Sequence, residues 1–201
     1  MQWWAADAGP NKVGSVPHEV IRFNSPERFV AGTVGEPGQR TFFLQVREGS
    51  RIVTVLLEKE QVAALAERLD GLLDEVVRRT GGQAPVPVVA PADLEDTAPL
   101  DQPIEEEFRV GTLTLAWDGT DDQVVIEAFA AADDDVLQPD SEIPEDRDVL
   151  VVRISGSAAR AFVKRAQALV AAGRPPCPLC ALPLDPEGHV CPRQNGYRRR
   201  E

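Results

Sequence analysis

The sequence predicts an α+β fold in which two related β-β-β-α halves form a pseudo-symmetric antiparallel-sheet domain, followed by a short cysteine-bearing tail. Three observations predict it. Alternating apolar segments recur in two runs, each run ends in an amphipathic helical segment, and all three cysteines fall in the last 25 residues of 201. Hydrophobic residues make up 43% and charged residues 27% of the chain, a composition that supports a packed core. No stretch reaches the roughly 18 apolar residues of a membrane span, and the start lacks the basic and apolar run of a secretory signal. Three clustered cysteines are too few for a secreted disulfide framework, so the expected location is cytoplasmic.

Residues 1–17 mix Gly, Pro, Asn and Lys with two tryptophans and no period, which reads as a poorly ordered extension. The first half spans 18–82. Residues 19–23 and 28–34 alternate apolar and polar, and residues 41–46 and 52–57 follow as further strands. Turn chemistry at Gly35-Glu-Pro-Gly38 and at Glu48-Gly49-Ser50 separates them. Residues 59–80 are the clearest helix. Val62, Leu65, Leu69, Leu72 and Val76 recur at three- and four-residue steps, with Glu58 and Glu60 at the start and Gly81-Gly82 beyond the end. Residues 83–103 carry five prolines and several acids and read as an exposed, semi-extended linker.

The second half spans 104–173. Residues 108–117 and 124–130 read as a hairpin, 131–146 as an acidic loop, 149–154 as a strand and 157–172 as a helix. Gly32-Thr33 answers Gly111-Thr112, and aligning Ile52 with Val149 places Leu65 on Phe162, Arg68 on Arg165 and Leu72 on Leu169. Each half is then three strands and a helix. A unit of about 60 residues buries its own sheet face poorly, so the two halves are expected to cover each other.

Charge is unevenly placed along the chain. Residues 1–92 hold 10 basic and 11 acidic side chains, residues 93–148 hold 2 and 19, and residues 149–201 hold 9 and 3, giving −1, −17 and +6 and a total of −12. The acidic middle repels phosphate backbones and disfavours nucleic acid as a partner.

The strongest chemical signal lies in the tail, residues 174–201. Cys177-Pro-Leu-Cys180 is followed by Asp185-Pro-Glu-Gly188 and then His189-Val-Cys191, a C-x2-C-x8-H-x-C spacing. Both thiols of a C-x2-C knuckle turn onto one ion. His189 and Cys191 are two apart, so on an extended segment they point the same way. Between the pairs, Asp-Pro-Glu-Gly has type I turn chemistry and folds one pair back on the other. Cys177, Cys180, His189 and Cys191 are therefore the expected ligands of one structural Zn2+, with no open position for catalysis. A redox dithiol and unliganded thiols are the alternatives, but no strand-to-helix setting of the thioredoxin kind surrounds the motif.

Three stretches carry a resemblance: PERFVAGTVGEPGQRTFFLQ at 26–45, LEKEQVAALAERLDGLLDEV at 57–76, and the terminal CPLCxxPLDPxGHxCPRxNGY pattern at 177–197. The chain resembles an uncharacterised actinobacterial family described as repeat proteins of unknown function. Ala181 stands where that pattern has glycine, and no ligand is lost. The resemblance implies a bacterial cytoplasmic protein with a zinc tail and assigns no activity.

Weaker signals compete for function. Gly32, Gly35, Gly38 and Arg40 invite a ligand or partner contact, although phosphate loops join a strand to a helix and this run joins two strands. Arg22, Arg28, Arg40 and Arg47 lie on or beside successive strands and are candidates for one basic patch. His18 has no partnered serine or cysteine for a triad. Arg198-Arg199-Arg200 beside the tail is too short to be a nucleic-acid patch. The expected function is a non-enzymatic zinc-binding adaptor whose partner is another protein. The alternatives are a small-molecule or nucleotide binder using the 32–40 loop, and nucleic-acid binding by the tail.

Overall fold

The structure is a computed structural model that describes residues 18–36, 38–131, 147–173, 177–180, 191 and 193. The expected extension 1–17, nearly all of the acidic loop, and most of the tail lie outside the described residues. Alternating apolar residues form β1 (Val20–Asn24), β2 (Arg28–Val34), β3 (Thr41–Glu48) and β4 (Arg51–Leu57), and α1 (Lys59–Arg79) follows. After residues 83–103 come β5 (Glu106–Asp118), β6 (Gln123–Ala130), β7 (Val149–Ser155) and α2 (Gly156–Ala171). The order strand-strand-strand-helix thus occurs twice, as β2–β3–β4–α1 and β5–β6–β7–α2. No helix among the described residues is long and apolar enough to cross a membrane.

The strands make one seven-stranded sheet in the order β1-β7-β6-β5-β4-β3-β2. It is mixed, not purely antiparallel, because β1 runs parallel to β7 and β4 parallel to β5. The expected first half therefore gives up its first strand, which crosses to the far edge and pairs beside β7. The two units also do not cover each other as separate sheets; they continue one another through the short β4–β5 contact.

That connectivity forces the sheet to curl. Its two edges, β1 and β2, are joined only by Ser25, Pro26 and Glu27. Four Cα steps span at most about 14 Å, whereas seven flat strands are about 29 Å wide. The bend falls at Ser25, whose φ is +60° and whose backbone N–H donates to Arg153 O at 2.9 Å. β1 and β2 act as one strand that turns a corner between sheet portions.

One core fills the curl. Phe23, Phe29, Leu44, Val55, Leu65, Leu69, Ile126, Val152 and Phe162 belong to a single buried cluster drawn from both units. Phe29 on β2 stacks on Phe162 of α2 with ring centroids 4.8 Å apart, so the second helix packs on the first unit's strand. The sequence-aligned pair Leu65 and Phe162 is buried at both positions. Each helix is started by a side chain: Gln61 Oε1 accepts the Glu58 N–H at 2.8 Å, and Ser155 Oγ accepts the Ala158 N–H at 3.2 Å. Buried Arg160 reaches from α2 to Asp70 and Asp74 of α1 and donates to Pro87 O at 3.1 Å.

Most of residues 83–103 are exposed, as their composition suggests, but Val86 and Leu100 are buried and anchor the segment to the body. Val86 joins the main core, and Leu100 forms a second small core with Val30 and Phe43 on the outer face of the β2–β3–β4 portion. Buried Gln45 holds the strap's backbone from both sides, accepting the Asp101 N–H at 2.8 Å and donating to Asp101 O at 3.1 Å. Proline limits the strap's conformations, and these anchors supply the burial that a free linker lacks.

Leu100 has room only because position 32 is glycine. A Cβ on Gly32 would lie 2.5 Å from the Leu100 side chain. Gly32→Val is therefore expected to destabilise the fold by about 1–3 kcal/mol, and Leu100→Ala in the same chain should recover part of that loss. Urea denaturation of both single variants and the double variant measures it; simple addition of the two losses would show that the strap does not sit on Gly32.

Candidate metal centre

The tail's sequence places a proline and a leucine between two cysteines, and the chain turns tightly across 178–180. This turn aims the backbone N–H groups of Leu179 and Cys180 at the Cys177 sulfur. They hold its thiol below the usual range, with smaller contributions from the Cys180 and Cys191 thiols. Cys177 and Cys191 are buried and Cys180 is half-buried. All three sulfurs lie within 4.8 Å of one another, and Cys177 Sγ is 3.9 Å from Cys191 Sγ.

Those distances separate the chemistries. A disulfide holds its sulfurs about 2.05 Å apart, and all three cysteines are free. Two thiolates on a tetrahedral ion with bonds of about 2.3 Å sit about 3.8 Å apart. The observed spacing fits ligands of one ion. Arg193 Nη1 donates to Leu179 O at 3.0 Å, which fastens Arg193 to the knuckle. His189, the fourth expected ligand, lies outside the described residues.

The structure gives the glycine-rich 32–40 run a different setting. Gly32 seats Leu100. Gly35 and Gly38 take φ of +98° and +102°, and a Cβ on Gly35 would lie 2.6 Å from Gln39 O, so the turn itself requires glycine there. Arg40 Nη1 donates to Ala172 O at 2.9 Å, capping the end of α2. Nor do the four arginines form one patch. Arg28 and Arg47 engage Asp96, Asp101 and Glu27 instead.

Sequence reading missed the polar cluster that surrounds Asp96. Arg28 Nε pairs with Asp96 Oδ2 at 2.6 Å and Arg165 Nη1 with Asp96 Oδ1 at 2.8 Å, while Arg165 Nε donates to Ala31 O at 2.7 Å. The Arg28 guanidinium holds the Asp96 carboxyl below the usual carboxylate range, helped by the Ala98 N–H. Burial pulls the Arg165 guanidinium down, partly offset by Asp96. The partners are 68 and 69 residues apart, so no local pattern announces them.

A family model described as a protein of unknown function, DUF3090, matches residues 21–191. That span takes in all but the first residue of the curled sheet, both helices and all three cysteines. The chain belongs to this family. No curated protein and no solved structure matches it. The DUF3090 match carries no assigned chemistry, so the cysteine cluster is the feature of this family member from which function is argued.

Proposed function

We propose that this DUF3090 protein is a non-enzymatic, cytoplasmic zinc-binding protein whose rigid body and metal tail present a surface to another protein. The observation that supports it is the convergence of three sulfurs within 4.8 Å at spacings suited to one tetrahedral ion. The donors also suit zinc. Three thiolates and an imidazole are soft and borderline ligands, and four protein ligands leave no position open for a substrate. His189 completes the set in this reading, and Arg193 offsets the net −1 that three thiolates leave on a divalent ion. Metal binding supplies much of the folding energy of so short a tail. The two strand-strand-strand-helix units are read as related halves, a view supported by their shared element order and by the burial of both Leu65 and Phe162.

Purified protein is expected to carry about one zinc per chain, and cobalt substitution should give the intense visible absorption of a tetrahedral thiolate site. Replacing Cys180 and Cys191 together by serine should abolish metal retention. An octahedral cobalt spectrum, or metal kept by the double variant, would defeat the assignment. Affinity capture with the wild-type chain and with Cys177→Ser tests the adaptor role, since a partner that reads the metal tail is recovered only by the former.

A further inference from the structure

The curled sheet leaves three strand margins without a neighbouring strand among the described residues, and two of them are closed by arginine. On β1, Arg51 Nη1 donates to Arg22 O at 3.3 Å while its guanidinium covers the Phe23 ring. On β2, Arg165 takes Ala31 O and ties it to the strap. The third margin belongs to β5. Its parallel partner β4 pairs only at Glu106 and Arg109, while β5 itself continues to Asp118. Gln61 Nε2 occupies Val110 O and Gly111 O; no strand of the described residues lies beyond.

The backbone phase of this stretch follows from its other side. Ala130 N donates to Asp148 O and Ala131 N to Arg109 O, so Phe129 turns its own polar groups toward β5. With Phe129 opposite Thr112, Glu127 opposite Thr114 and Val125 opposite Ala116, the even-numbered residues of β5 bond to β6. The N–H and C=O groups of Leu113, Leu115 and Trp117 therefore point to the open margin. The segment Gly111-Thr-Leu-Thr-Leu-Ala-Trp117 has no charge and no proline, so it lacks the usual devices that keep an edge from pairing.

We infer that β5 is a self-association edge, and that a second copy of this chain adds its own β5 antiparallel about a two-fold axis at Thr114. The sequence is self-complementary about that point. Leu113 comes opposite the partner's Leu115 and Thr114 opposite the partner's Thr114, and the shared ladder stops short of Gly111, whose carbonyl Gln61 already engages. The hydrogen-bonding phase agrees, because Leu113 and Leu115 both direct their polar groups outward while Thr114 forms the non-bonded pair. No charge meets a charge between residues 111 and 117. This inference is independent of the zinc reading.

Sedimentation equilibrium of the full chain should give a concentration-dependent mass rising to twice 21.9 kDa. Leu115→Pro removes an outward N–H without touching the β6 ladder, and it should weaken association about tenfold or more while a cooperative melting transition, lowered by the lost Leu115 packing, remains. Should that variant not fold, Thr114→Cys keeps the test sharp. Facing residues of a non-bonded antiparallel pair are about 4.5 Å apart at Cα, within disulfide reach. Mild oxidation should thus link two chains through position 114 in Thr114→Cys, a disulfide that peptide mapping separates from any link through Cys177, Cys180 or Cys191. A wild-type chain that stays monomeric at hundreds of micromolar overturns the inference. So does a dimer that is indifferent to Leu115→Pro in folded form, or that Thr114→Cys does not cross-link.

Discussion

Truncating Phe162 to alanine is expected to cost about 3–5 kcal/mol and to lower a single melting transition of the whole body. The side chain is 2% exposed, stacks on Phe29 of the other unit, and stands on a helix whose Arg160 also holds α1 and the strap. Leu65→Ala, at 2% exposure on α1, is expected to cost about 2–5 kcal/mol by the same loss of burial and the cavity it leaves. Because both residues belong to one buried cluster, each substitution should move the same transition. Against a typical total of about 5–15 kcal/mol, either loss is a large share. Calorimetry of wild type and both variants decides it: two separable wild-type transitions, each shifted by only one substitution, would mean two independent cores.

Asp96→Ala should cost about 2–3 kcal/mol, less than the roughly 3–5 of a fully buried broken pair because Asp96 is 29% exposed. It would leave Arg28 and Arg165, 9% and 14% exposed, close together without the carboxylate between them. The strap would lose its main ionic clasp, so chymotrypsin should cut after Leu94 and Leu100 faster in the variant than in wild type. The same clasp predicts a pH dependence. The Asp96 pKa is lowered in the folded state, so its contribution is complete above the ordinary aspartate range of about pH 4 and is lost as pH falls through the lower folded value. Urea midpoints of wild type and Asp96→Ala should therefore converge on acidification below about pH 4. A gap that stays constant down to pH 2 would show that the carboxylate's charge is not what holds the strap.

Much of the element list was legible in the residues. Every described strand and both helices coincide within a few residues with alternation or with three- and four-residue apolar steps, because side-chain periodicity is a local property of the backbone. Turn glycines at 35 and 38 were legible for the same reason, since positive φ is a demand of one position. The clustering of Cys177 and Cys180 was legible too, because residues three apart in a turn are neighbours in space, and the structure places Cys191 against both of them.

What only the tertiary structure decided is pairing at a distance. Nothing in Val20–Asn24 tells it to leave the strands that follow and lie beside Val149–Ser155. That choice depends on the three-residue corner at Ser25 and on a sheet curled around two helices. Composition made residues 83–103 look solvent-bound, yet Leu100 finds a seat that Gly32 leaves open and Asp96 finds two arginines 68 and 69 residues away. Likewise, β5 reads as an ordinary strand, and its unpaired upper half is visible only where β4 stops short of it. Local periodicity sets which residues form an element and which face turns inward. Which elements meet depends on burial and ion pairing between residues far apart in the chain, and those exist only once the chain has closed on itself.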